Sequence, residues 1–148
     1  QKIYSDQYIP EAREAKPIKH YVKVDWQIPG CPADPKEINR ILSALINDIE
    51  PQEITYPVCL ECKAAGNPCF LKQGLPCLGP ITRGGCNAIC INNGIKCWGC
   101  RGLAKDANIE AMTDTLKSIG LNEQQIKKNY EVFWQEEKKL DKFFKGER

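Results

Sequence analysis

Cysteine is the residue type that dominates the chemistry available to this chain. Eight of its nine cysteines lie between positions 59 and 100, and the ninth is Cys31. The eight form two groups of four, spaced C-x2-C-x6-C-x7-C and C-x3-C-x6-C-x2-C. The first group is Cys59, Cys62, Cys69 and Cys77, and the second is Cys86, Cys90, Cys97 and Cys100. Four thiolates are a complete ligand set for zinc or an iron–sulfur cluster, so the spacing predicts two metal centres.

The spread of ligands within each group favours iron–sulfur clusters. Structural zinc sites usually pair two C-x2-C hooks across a longer loop, whereas each group here has one hook and two separate cysteines. The cysteine segment is also rich in glycines, which let backbone amides approach inorganic sulfides; they are Gly66, Gly74, Gly79, Gly84, Gly85, Gly94 and Gly99. A zinc-pinned binding module remains the alternative. Disulfides are less favoured, because the cysteine count is odd and the rest of the chain can form a core.

Before this segment the sequence predicts a strand, a turn and a helix. Positions 21–28 (YVKVDWQI) are rich in β-favouring residues, and the PGCP run that follows holds Cys31 in a rigid turn. Asp34 is predicted to cap a helix that begins at Pro35, with Glu37 completing a capping box. The apolar face of this helix is Ile38, Ile41, Leu42, Leu45, Ile46 and Ile49. Strand, turn and amphipathic helix form a βα unit of the kind that packs on an open sheet.

After the segment the pattern is helical again. One predicted helix ends at Gly120 and carries Ile109, Met112, Leu116 and Ile119 on one face. A second begins at Asn122, with Gln125 three positions on as a capping partner. Its predicted apolar side is Ile126, Tyr130, Phe133, Trp134, Leu140 and Phe144.

Composition excludes several other functions. A net charge of +2 and the lack of a basic stripe interleaved with aromatics argue against nucleic-acid binding. No apolar run approaches the length of a transmembrane helix. His20 is the only histidine, which leaves histidine-dependent nucleophilic catalysis with little to use. The sequence therefore predicts no catalytic residues, and positions 1–20 are expected to be a surface arm.

The cysteine segment carries a specific resemblance. The run from Val58 to Gly102, with CLGPITRGGC and CWGC inside it, and the earlier PGCP turn resemble the small (delta) subunit of NiFe hydrogenases. The similarity is to the cytoplasmic, bidirectional sulfhydrogenase type. In membrane-bound and periplasmic members, a histidine matches Cys59 and a proline matches Cys90. Both are cysteine here, which implies two complete 4Fe–4S clusters.

The resemblance implies a role for each cysteine. The first group would hold the distal 4Fe–4S cluster and the second the medial one. Cys31 would ligate the proximal cluster, whose other three ligands belong to a flavodoxin-like part outside this sequence. Residues 1–52 would then be the end of that flavodoxin-like domain, 53–103 the two-cluster segment and 104–148 a helical pair. Trp98 is expected to shield the second cluster, and Arg83 to bond to backbone or a partner subunit.

The resemblance also implies partners. The NiFe site would lie in a separate large subunit, and further subunits would bind flavin and NAD(P) or carry ferredoxin-like clusters. The chain would relay electrons in the cytoplasm without making or breaking bonds itself. An iron–sulfur subunit of another multisubunit oxidoreductase is a further alternative.

Overall fold

The computed structural model describes residues 16–135 and 137–146. The described α-helices are α1 (Pro35–Ile46), α2 (Val58–Ala64), α3 (Ile89–Asn92), α4 (Ile109–Ser118), α5 (Glu123–Trp134) and α6 (Lys138–Lys145). Short 3-10 turns occupy Ile18–His20, Leu71–Gln73 and Gly79–Ile81. No helix in these ranges is both long and apolar enough to cross a membrane.

A short stretch of extended backbone at residues 82–83 lies in the middle of the cysteine segment and pairs with residues near both of its ends. Isolated antiparallel bridges join Pro57 to Arg83 on one side and Thr82 to Leu103 on the other. The Thr82 hydroxyl also donates a 2.6 Å hydrogen bond to the Leu78 carbonyl, which fixes the turn before this stretch. The beginning and end of the segment are therefore held against its centre.

Two hydrophobic clusters lie side by side. The larger joins the C-terminal helices to the centre of the cysteine segment; its buried members are Leu78, Ile81, Ile109, Met112, Leu116, Ile126, Tyr130, Trp134 and Leu140. The smaller lies within the segment and consists of Val58, Cys62, Cys77, Ala88, Ile91 and Cys97. Half of the smaller cluster is cysteine, so little of its packing is independent of the thiols.

The predicted strand at 21–28 is wrong, because those residues form no strand. A strand needs a neighbour to take up its backbone hydrogen bonds, and the described residues contain only the isolated bridges around Thr82. The sheet on which a βα unit would pack is therefore not found among them. The predicted surface arm at positions 1–20 lies, up to residue 15, outside the described residues.

Helix α1 begins as predicted, at Pro35, and the Asp34 carboxylate accepts a 2.7 Å hydrogen bond from the Lys36 N–H. The predicted capping box is wrong. Glu37 is buried and binds Arg101 instead. The Glu37 carboxylate therefore forms a long-range ion pair with Arg101, and not the local capping bond that its spacing predicted. Of the predicted apolar face, Ile41 is buried, whereas Leu42, Leu45, Ile46 and Ile49 are exposed.

The first predicted C-terminal helix and the start of the second are confirmed. Ile109, Met112 and Leu116 are buried on α4. Asn122 and Gln125 form the predicted capping box at α5, with both hydrogen bonds at 2.9 Å. The continuous second helix is wrong, because α5 ends at Trp134 and α6 begins at Lys138. The remaining apolar residues of this prediction divide: Ile126, Tyr130, Trp134 and Leu140 are buried, and Phe133 and Phe144 are exposed.

Candidate metal centres

The first cysteine group is positioned by one short helix and two turns. Cys59 and Cys62 lie three residues apart, on one face of α2. Cys69 and Cys77 precede the turns at Leu71–Gln73 and Gly79–Ile81. All four sulfurs are electrostatic neighbours, since the other three act together on Cys59.

At Gly79 the main chain passes close to two sulfurs of this group. A Cβ at this position would lie 3.3 Å from the Cys59 sulfur and 3.6 Å from the Cys77 sulfur. The absence of a side chain therefore lets the main chain approach two thiols at once. The Cys97 N–H donates a 3.4 Å hydrogen bond to the Cys77 sulfur, so the second group's segment contributes a donor to the first group.

The second cysteine group lines a cavity of about 280 Å³. Cys86, Cys90, Cys97 and Cys100 all contribute to its wall, and so does Cys31. Trp98 lies at the same wall but is 38% exposed, so it only partly separates the cavity from water. The cavity therefore brings together the four cysteines of the second group and the isolated cysteine of the PGCP turn.

The Cys31 turn lies beside Cys100 of the second group. Burial raises the pKa of Cys100, and the backbone of Cys31 and the charges of Cys90 and Cys31 also act on this thiol. Cys31 itself is exposed. Residues separated by about seventy positions in sequence are therefore neighbours at this cavity.

Glu61 links the two groups, and sequence reasoning missed it. It lies on α2 between Cys59 and Cys62, and its carboxylate accepts hydrogen bonds from the N–H of Gly85 and, at 3.1 Å, from that of Ala88. The Cys86 thiol lies 3.8 Å from the same carboxylate. Glu61 thus anchors the turn that carries the first cysteine of the second group. No local pattern signals it, because its partners lie more than twenty positions away.

Burial raises the pKa of the Cys59 and Cys97 thiols. Burial, followed by the charges of Cys77, Cys62 and Cys69, raises the pKa of Cys59 to about 11. Burial likewise raises the pKa of Cys97 to about 12. At neutral pH these sulfurs need the positive charge of a bound metal in order to ionise.

Four cysteines in each group are a complete donor set for an iron–sulfur cluster and for zinc alike. All nine cysteines are free thiols. Within the described ranges, no three histidine, cysteine, aspartate or glutamate side chains converge closely enough to hold a single metal ion. Zinc would require all four sulfurs about 2.3 Å from one point. The cavity of about 280 Å³ at the second group leaves space for a bound metal centre.

The expectation for Arg83 is confirmed for the backbone. Its guanidinium donates to the Arg101 carbonyl from two nitrogens, at 3.2 and 3.0 Å. The same side chain lies 3.7 Å from the exposed Glu53 carboxylate. Arg83 therefore ties the end of the CWGC hook to the central extended stretch.

Sequence comparisons find hydrogenase subunits. The chain is 46% identical over 119 residues to sulfhydrogenase 2 subunit delta of Pyrococcus furiosus, a match that covers 80% of the chain and 50% of the relative. It is 40% identical to one of the G subunits of F420-non-reducing hydrogenases, the vhu form of Methanocaldococcus jannaschii, with 68% of the chain and 41% of the relative covered. The iron-sulfur subunit of the F420-non-reducing hydrogenase of Archaeoglobus profundus is 28% identical, with 76% of the chain and 46% of the relative covered.

The chain spans about half the length of these curated relatives. No family model matches it. The predicted resemblance is nevertheless confirmed, since the matches cover most of the chain and are all hydrogenase subunits. The chain belongs to the family of hydrogenase delta and G subunits.

Proposed function

We propose that this chain is the electron-transfer small subunit of a cytoplasmic NiFe hydrogenase. It relays electrons by 4Fe–4S clusters between the NiFe site of a large subunit and a module that binds flavin and NAD(P) or ferredoxin-type clusters. The observation that supports this function most directly is the grouping of the cysteines. Four lie together around α2 and Gly79, and four line one cavity with Cys31 beside them.

The proposal assigns each group a cluster. The first group, Cys59, Cys62, Cys69 and Cys77, holds the distal 4Fe–4S cluster, and the second, Cys86, Cys90, Cys97 and Cys100, holds the medial one. Cys31 supplies one ligand to a proximal cluster, and its turn and α1 form the end of a flavodoxin-like domain at 1–52. Residues 53–103 are the two-cluster segment, and 104–148 are the helices that support it. When bound, each cluster supplies one-electron redox chemistry.

The chain's own residues position and insulate these carriers. The backbone N–H of Cys97 donates to the sulfur of Cys77, and hydrogen bonds to sulfur are a main determinant of cluster potential. Cys62, Cys77 and Cys97 are buried, which keeps water from their sulfurs. In this proposal the chain provides a path for electrons between two sites and takes no part in bond-making itself.

The proposed partners define the two ends of the electron path. Electrons from hydrogen oxidation in the large subunit pass through the proximal, medial and distal sites to the pyridine-nucleotide or ferredoxin-type module. Flow in the opposite direction evolves hydrogen. The chain is therefore a non-catalytic part of an oxidoreductase complex, and NAD(P) is its proposed final acceptor.

Metal analysis combined with low-temperature EPR tests this function. The complex containing the chain is purified without oxygen, and iron, zinc and nickel are measured together with the spectra. About eight irons assigned to the two groups, with reduced-cubane signals and nickel in a partner, would support the proposal. Two zincs in place of iron, with no EPR signal, would instead establish a zinc-pinned binding module.

A further inference from the structure

A buried ion pair lies beside the second cysteine group. Arg101 is 1% exposed, and its two terminal nitrogens each donate a 2.7 Å hydrogen bond to the Glu37 carboxylate. Burial opposes the charged form of Arg101, but the hydrogen bonds and charge of Glu37 outweigh it, so the pKa of Arg101 is raised. The guanidinium is thus a permanent cation within the protein.

The same guanidinium holds two cysteine-bearing turns. Its Nε donates a 2.6 Å hydrogen bond to the Gly84 carbonyl, and its Nη1 donates a 2.9 Å bond to the Pro29 carbonyl. These carbonyls lie two residues before Cys86 and Cys31, respectively. One side chain therefore fixes the PGCP turn against the second group.

Arg101 directly follows Cys100, so a third cysteine-bearing stretch, the CWGC hook, also lies next to the ion pair. Its charge interacts with the sulfurs of both Cys86 and Cys100. Uptake of one electron from the hydrogen-oxidising partner would add one negative charge at this site and would form or break no bond. A nearby cation favours that reduced state, and removing the cation disfavours it.

Glu37 limits this effect because it binds the cation directly. A buried ion pair gives little net stability, since desolvation of the two charges offsets their attraction. The pair is therefore poorly explained as simple structural support. Its value lies in a fixed charge and a fixed geometry next to the sulfurs.

We propose that the Arg101–Glu37 pair is a positioning device that holds the Cys31 turn beside the second cysteine group and sets the reduction potential of the cluster there. This inference rests on the proposed function. The two charges act in opposite directions: Arg101 raises the potential, and Glu37 lowers it by compensating Arg101.

The test is EPR-monitored potentiometry of the anaerobic complex carrying Glu37→Gln, Arg101→Gln or both changes. Glu37→Gln retains an acceptor oxygen and the shape of the side chain, and should raise the potential of the second-group cluster. Arg101→Gln should lower it, and the double variant should return it towards the parent value. Glu53→Gln is the matched control, because the 3.7 Å pair of Glu53 with Arg83 is exposed on the Glu53 side and screened by solvent.

Opposite shifts support the inference, because loss of structural support alone would move both variants in the same direction. An unchanged or lowered potential in Glu37→Gln overturns it, even if Arg101→Gln does not assemble and Glu37→Gln has to decide alone. The parent protein separates the two proposals. Absence of iron there refutes the proposed function, whereas intact cluster signals without the Glu37→Gln shift refute only this inference.

Discussion

The indole N–H of Trp134 donates a 2.8 Å hydrogen bond to the carbonyl oxygen of Gly99. Gly99 has a φ of 89°, and a Cβ there would lie 2.5 Å from the Trp134 ring. The last turn of α5 is therefore seated on the hook between Cys97 and Cys100. This contact joins the apolar core of the C-terminal helices to the second cysteine group.

Trp134→Phe should destabilise that hook. The change removes one of two donors to the buried Gly99 carbonyl, which keeps a 3.0 Å hydrogen bond from the Gly102 N–H, so the expected cost is about 0.5–1.5 kcal/mol. Denaturant unfolding of the purified complex, followed by loss of visible cluster absorption, measures the effect. Trp98→Phe is the matched control and should cost within about 0.5 kcal/mol, because Trp98 is partly exposed. Equal effects of the two changes would contradict the supporting role of Trp134.

Gly79→Ala should disrupt the first cysteine group selectively. The added methyl would lie 3.3 Å from the Cys59 sulfur, in the space that lets the backbone approach the thiols. We expect loss of one cluster's iron, about four atoms per chain, with the second cluster's EPR signal retained.

Gly66→Ala is the control for Gly79→Ala. No atom lies within 4 Å of a Cβ at Gly66, so the change adds only backbone strain at a φ of 72°. We expect it to cost about 1–2 kcal/mol and to leave the iron content unchanged. Loss of iron in Gly66→Ala but not in Gly79→Ala would refute the predicted role of the close backbone approach at Gly79.

Glu61→Gln should loosen the connection between the two groups. A glutamine has one acceptor oxygen, so either the Gly85 or the Ala88 N–H loses its partner, and the remaining bond loses its charge. The expected cost is about 1–3 kcal/mol, measured as faster amide hydrogen exchange at residues 85–90. The exposed Glu50 provides the control Glu50→Gln, which should leave that exchange unchanged.

Cys86→Ser and Cys97→Ser should interrupt the relay without stopping chemistry in the partner. Each change removes a proposed cluster ligand of the second group, so hydrogen-dependent reduction of the soluble acceptor should fall nearly to zero. Hydrogen–deuterium exchange catalysed by the large subunit should persist, because it needs no electron transfer through this chain. Loss of that exchange in an assembled complex would show that these cysteines do not act as a relay.

Iron removal should unfold the cysteine segment before the C-terminal helices. The smaller cluster of buried residues is half cysteine, whereas the larger contains none. After chelation, amide exchange should accelerate across residues 58–102 while α4 and α5 remain protected. A chelator already saturated with iron is the control. Equal acceleration of amide exchange in the cysteine segment and in α4 and α5 would be evidence against metal-dependent folding of the segment.

Local patterns predicted those elements whose determinants are local. Asp34 and Pro35 start α1, and the reciprocal bonds of Asn122 and Gln125 start α5, because capping involves residues two or three positions apart. The homology was likewise carried by the spacing of the cysteines themselves. These features need no knowledge of the rest of the fold.

Long-range contacts explain what was missed. Glu37 fits a capping box by spacing, but Arg101, sixty-four positions later, binds its carboxylate instead. Residues 21–28 have β-favouring composition but no partner strand among the described residues. The role of Glu61 depends on a turn more than twenty positions away, which spacing alone does not reveal.

The exposed apolar side of α1 has a consequence for the protein's behaviour in solution. Leu42, Leu45, Ile46 and Ile49 are each at least 40% exposed and lie close together in sequence. The net charge of +2 provides little colloidal repulsion to keep such surfaces apart. Produced by itself, the chain should self-associate and precipitate as its concentration rises. Co-production with the proposed large subunit should reduce this precipitation if that subunit covers the exposed side of α1.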